Sequence, residues 1–160
     1  MLNIKDTQKY KLYTKDEWLF VSSDKKYVTK LTFINNNIVH LEINGFVDIN
    51  NMTEMWPQIE AVIKEHLKDQ KYFLIHNYKD LRSATNDARM DYFKWIEDNL
   101  ESIEAIYFYN VSTFFKVLIQ AGKILSNRVN NIFILNDIEE ILIDIDLTLK
   151  KSSVERQNTH

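Results

Sequence analysis

The chain has 160 residues with only 2 Gly, 1 Pro and no Cys, and its 45% hydrophobic content can supply one core of ordinary domain size. Two isolated glycines, Gly45 and Gly122, cannot build a Walker A or Rossmann phosphate loop, and the missing cysteine removes zinc ribbons, thiol nucleophiles and disulfide frameworks. Twenty basic residues against 23 acidic ones give a net charge of −3, and the densest basic stretch, Lys5 to Lys15, is interrupted by Asp6, so no nucleic-acid partner is expected.

Residues 1–17 read as a charged arm. No apolar segment follows Met1, and no run approaches the roughly 18 apolar residues of a membrane helix. The expectation is a cytoplasmic protein without a membrane span. Trp18 to Ser22 is a short apolar run, and Ser23 to Lys26 is turn-like. Tyr27 to Ile34 alternates as a strand does; Asn35 to Asn37 is a turn signal, because Asn tolerates positive φ; Ile38 to Phe46 continues as a second strand. Together they predict a β-hairpin. Asp48 to Asn51 is a helix entry with Asn50 or Asn51 as cap, and Met52, Met55, Ile59, Ile63 and Leu67 trace one helical face. Pro57 is best tolerated in a first turn, which predicts a regular helix starting near Trp56.

A strand–helix rhythm follows. Tyr72 to His76 reads as a buried strand, 77–87 as a polar loop, and Asp87 to Leu100 as a helix with Met90, Phe93, Ile96, Glu97 and Leu100 on one side. Ile103 to Tyr109 is a strand, 110–113 a loop, Phe114 to Leu125 a helix, and Asn131 to Leu135 a strand. Asn136 and Asp137 open a last helix with Ile138, Ile141, Leu142, Ile145 and Leu149 on one face. Alternating strands and helices imply right-handed crossovers and parallel pairing. The fold class is therefore α/β: one domain over 18–150 with a mixed sheet, an N-terminal hairpin followed by parallel strands, and about four helices. Residues 151–160 read as a polar tail or a connector to a longer protein.

Two stretches carry a family resemblance. One is Ile38 to Asp48, an apolar strand followed by Gly45, two apolar residues and an Asp before a long helix. The other is Asp87 to Trp95, with Arg89, Tyr92 and Trp95 at helical spacing, followed by the apolar strand Ile103 to Tyr109. They resemble the STAS superfamily, and within it the SpoIIAA-like, anti-sigma-factor-antagonist-like branch. The resemblance implies a bacterial, non-catalytic signalling domain that works through protein–protein contact, such as the input module of a larger protein. Phosphorylatable members resemble one another in an Asp-Ser-Ser-Gly-like loop before the second helix. Here 77–87 offers Ser83 and Thr85 without the Gly or the Asp-Ser pair, so these two are either phospho-acceptors or helix caps.

Parallel sheets bind ligands beyond the carboxyl ends of their strands. The loops there would bring together Asn77, Asp80, Arg82, Ser83 and Thr85 with Asn110 and Ser112, either as an anion or ligand site or as separate helix caps. His40, His66 and His76 lack a carboxylate at ligand spacing and read as core or edge histidines; no catalytic residue, metal ligand or cofactor is assigned. The third helix is apolar nearly all round, which requires more than one buried face. Phe114, Phe115, Leu118, Ile119 and Gly122 are its candidate interface with a second subunit or a protein partner, or its lining for a small apolar ligand.

Overall fold

The computed structural model describes Ile4 and residues 9–68, 70–125 and 131–157. The rest of the expected arm and the last three residues of the expected tail lie outside the described residues. Two short strands, β1 (Leu12–Tyr13) and β2 (Leu19–Val21), flank a single 3-10 turn at Asp16–Trp18. Both pair antiparallel with β3 (Tyr27–Ile34). β3 and β4 (Ile38–Val47) form the predicted hairpin, in register from Ile34↔Ile38 to Tyr27↔Gly45. Asn35 takes φ 54° in the connecting turn and fixes β1 there, its Oδ1 accepting from the Lys11 N–H at 3.0 Å.

Three crossovers follow: α1 (Ile49–Leu67), β5 (Tyr72–Ala84), α2 (Asn86–Asp98), β6 (Ile103–Tyr109), α3 (Thr113–Leu125) and β7 (Ile132–Ile134). The strand order β1-β3-β4-β5-β6-β7 advances in one direction, and β4 through β7 are parallel. Crossovers of one hand place their helices on one face of the sheet. Inward residues of α1, α2 and α3, among them Met55, Ile59, Ile96 and Ile119, accordingly share one apolar cluster with Leu31, Leu41, Leu74 and Phe108. After β7 the chain turns onto the other face. There α4 (Ile138–Gln157) buries Ile138, Ile141, Leu142 and Ile145 against Ile38, Phe73, Ile75 and Tyr107. Ile4 and Tyr10, from the segment expected as an arm, are buried in that same cluster, and α4 continues through Gln157 into the expected tail.

Four local expectations are corrected. The α1 cap is Asp48, whose Oδ1 accepts from the Asn51 N–H at 2.9 Å. The helix therefore starts at Ile49, and Pro57 lies inside it; there Pro57 lacks the N–H that would bond the Thr53 carbonyl, a local loss outweighed by the buried face. Residues 77–84 are strand rather than loop: β4 is long enough to keep pairing, and the ladder runs from Asn44↔Asp80 to Val47↔Ala84. Their polar composition hid this, because only Tyr78, Leu81 and Ala84 turn toward the apolar side. On α2 the buried face is set by Ala88 and Ile96, which leaves Met90 outside at 57% exposure.

Candidate functional site

The helices α1, α2 and α3 do not close fully over the carboxyl ends of β4, β5 and β6. They leave a mostly apolar cavity of about 70 Å³. Its floor is sheet: Ile43, His76, Tyr78 and Phe108. Met52 and Trp56 of α1 and Tyr92 and Phe93 of α2 form its walls, and Phe115, Leu118 and Ile119 of α3 form its roof. Aromatic rings set its shape. The His76 ring lies stacked on Phe108 at 4.9 Å and edge-on to Tyr92 at 5.4 Å. Trp56 meets Trp95 edge-on at 4.8 Å, and Tyr78 bridges Phe108 and Phe115 at 5.2 and 5.7 Å. Edge-to-face rings are rigid neighbours that cannot collapse into a gap as aliphatic chains do.

The electrostatics are those of a neutral site. Burial pushes the His76 imidazole down to about 3, so it is uncharged at neutral pH. Its Nε2 is hydrogen-bonded to the Tyr92 hydroxyl. Burial also holds the Tyr92 and Tyr78 phenols above their ordinary range. Arg89 is the cation of the lining, and its guanidinium donates to the Ala84 carbonyl at 3.1 Å and to Asn86 Oδ1 at 3.2 Å. The nitrogens Trp56 Nε1, Trp95 Nε1 and His76 Nδ1 are buried without a hydrogen-bond partner among the described residues. Such a wall offers shape and dispersion to an apolar guest. Among the described residues no group of three His, Asp or Glu side chains could hold a metal ion.

The loop residues singled out in the sequence do not form one site. Asn77 and Asn110 meet, with Asn110 Nδ2 donating to Asn77 Oδ1 at 3.0 Å. Asp80 and Arg82 lie farther along β5 in a separate groove, and Ser83 pairs with Phe46 in the β4–β5 ladder. Thr85 occupies the α2 cap position without a side-chain cap bond; its hydroxyl donates to Asp87, which accepts from the Ala88 N–H at 2.9 Å. Ser112 Oγ accepts from the Phe115 N–H at 3.4 Å, which caps α3. On α3, Phe115, Leu118 and Ile119 face the cavity, and Gly122 lies against Phe93, where a Cβ would stand 2.1 Å from the ring. Phe114 projects outward at 61% exposure, together with Val117 at 60% and Ile124 at 77%. The wall residues Trp56, Tyr92 and Phe93 were not singled out in the sequence for this site. Their signal was aromatic residues on α1 and α2 that exceed what one buried helix face needs.

The fold has a counterpart among solved structures. A crystal structure of an uncharacterized DUF3478-family protein from Shewanella loihica PV-4, described as having a SpoIIAA-like fold, superposes on the chain with a TM-score of 0.51. The chain has a SpoIIAA-like fold. The match covers 83% of this chain and 92% of the Shewanella protein at 10% identity, so it speaks for architecture alone. No protein-family model matches the sequence, and no curated protein matches it. The SpoIIAA-like, mixed α/β architecture is thus the one that the Ile38–Asp48 and Asp87–Trp95 stretches resembled. Among the described residues no helix is long and apolar enough to cross a membrane.

Proposed function

We propose that this SpoIIAA-like chain is a non-catalytic regulatory domain that docks another protein, or a second copy of itself, through the outer face of α3. The observation that carries this reading is the exposed stripe Phe114, Val117 and Ile124, at 61%, 60% and 77% exposure on one side of a helix whose other side is already buried. Apolar side chains aligned on one exposed helix face mark interaction surfaces more often than scattered ones do. The fold resemblance supports a signalling role in a bacterial cytoplasm. Sedimentation velocity tests the self-associating form. The parent protein is expected to sediment as a dimer, and Val117→Asp with Ile124→Asp to sediment as a monomer with unchanged far-UV dichroism. A monomeric parent removes the dimer. A parent that also captures no protein from its source cells removes the reading.

A second reading is favoured by the cavity of about 70 Å³ beneath the same helix: the domain binds a small apolar ligand. The volume is about half the roughly 150 Å³ that accepts benzene in an engineered apolar cavity, so α3 must shift outward to admit anything larger. Native mass spectrometry of the purified protein should show a retained adduct that Leu118→Trp abolishes. Ligand-free spectra, with no melting shift on addition of benzene or indole, remove this reading.

A further inference from the structure

A second concavity lies at the ends of β3, β4 and β5, lined by different residues from the α3 stripe. It is an open groove of about 760 Å³. Lys25 and Lys26 come to it from the β2–β3 turn, and Lys79 and Arg82 from the last part of β5. Asp80 is the one carboxylate of its lining, in a protein whose net charge is −3. Lys26 is paired with Asp24 at 3.0 Å. Lys25, Lys79 and Arg82 make no ion pair among the described residues.

Backbone geometry holds the two pairs of cations together. Gly45 has φ +94°, and a Cβ there would stand 1.9 Å from the Lys26 carbonyl oxygen. Only glycine lets the turn lie this close to β4. The turn is then fixed by the Phe46 N–H donating to the Lys26 carbonyl at 2.8 Å, and by the Lys25 N–H donating to Ser22 at 2.8 Å. On the opposite wall, β5 continues beside β4 to Ala84, whereas β6 pairs with it only as far as Asn77. Lys79 and Arg82 are therefore presented on strand, not on a loop. Three cations without ion-pair partners among the described residues, held on rigid backbone, make a local positive field against a negative protein, which draws in an anionic chain.

We propose that this groove binds an extended acidic segment of a partner protein. Its breadth across three strand ends suits an extended chain, and charge-assisted bonds from Lys25, Lys79 and Arg82 to carboxylates supply the attraction. Single-stranded nucleic acid is disfavoured because the lining holds one aromatic residue, half-buried Phe46, where successive bases would need several rings to stack on.

Fluorescence anisotropy with a fluorescein-labelled oligoglutamate peptide of about ten residues tests the proposal. Saturable binding is expected at low salt, weakening as NaCl rises. Lys79→Glu with Arg82→Glu should raise Kd at least about tenfold, and Lys79→Gln with Arg82→Gln by less. Lys94→Glu with Lys116→Glu, on exposed helix positions, should bind as the parent does. Thermal melts of each variant establish that it is folded. The proposal is overturned by absence of saturable binding or by an equal loss in the Lys94/Lys116 variant. Tighter binding of a labelled single-stranded oligonucleotide through Lys79 and Arg82 overturns it as well.

Discussion

The two faces of the sheet are built on the same idea and finished differently. Each buries a neutral histidine bonded to a tyrosine: His76 with Tyr92 under the three crossover helices, and His40 with Tyr109, at 2.9 Å, under α4. On the α4 face, directional bonds complete the packing. Tyr107 donates to Asp144 at 2.7 Å and Tyr10 to Asp146 at 2.9 Å, so the helix is held to sheet and N-terminal segment by polar bonds as well as by apolar contact. On the other face α3 rests mainly on rings over a cavity of about 70 Å³, with one side-chain bond to the sheet, Lys123 donating to the Ile132 carbonyl at 2.6 Å. A helix held mainly by dispersion over a gap can move; one held by several hydrogen bonds to its neighbours resists. The comparison thus assigns adaptability to α3 and anchorage to α4.

Acid should test both faces at once and give the largest effect. Burial holds His40 and His76 at about 3. In the unfolded chain they titrate near the ordinary 6.5, so between about 6.5 and 3 the unfolded state binds more protons. Stability is then full above about pH 6.5 and falls as the pH drops, by about 1.4 kcal/mol per pH unit for each histidine, or about 4 kcal/mol for the pair at pH 5. Urea titrations across that range should show the slope, and His40→Gln and His76→Gln should each remove about half of it. If His76→Gln leaves the slope intact while His40→Gln halves it, the cavity face already admits the proton and is softer than the α4 face.

Core truncation should separate the faces next. Ile141 is fully buried under α4, and Ile141→Ala is expected to cost about 3 kcal/mol. Leu118 is half-buried beside an existing cavity, so Leu118→Ala adds to a gap and loses less contact, costing about 1 kcal/mol. Chemical denaturation measures both. Equal losses would mean that α3 is as firmly seated as α4. Hydroxyl deletion comes below that. Tyr92→Phe leaves fully buried His76 without a hydrogen-bond partner and should cost about 2 kcal/mol, whereas Tyr107→Phe frees half-exposed Asp144 to water and should cost about 1 kcal/mol or less.

The sequence showed the α4 face better than the α3 face, for a physical reason. Ile138, Ile141, Leu142 and Ile145 repeat at helical spacing over one core, and periodicity reads such a face directly. The β3–β4 hairpin was equally legible, since Asn35 takes the positive φ that its turn signal implied. The extension of β5 was not, because pairing with β4 rather than apolar alternation holds Lys79 to Ala84 in a strand. The cavity was only half legible. The all-round apolar character of α3 announced two faces, but periodicity does not say which side is inward. Leu118 and Phe115 face the cavity and Val117 faces out. The groove at Lys25 and Arg82 was invisible because it joins distant segments through the backbone approach at Gly45.

Filling the cavity gives the smallest effect and the sharpest sign. Ala84 lies near the end of β5 on the cavity wall, half-buried and on extended backbone. Ala84→Val adds two methyl groups that the gap can take and replaces a poor strand former with a good one, so stability should rise by about 0.5–1 kcal/mol. The same enlargement at Ala105, buried among Phe73, Tyr107 and Ile141 on the α4 face and outside the cavity lining, should lower stability through overpacking. Opposite signs for one chemical change, read from paired denaturation curves, would place the free space on one side of the sheet. A loss at both positions would mean that the α3 roof settles onto its rings in solution, and the adaptable helix would then be held as tightly as the anchored one.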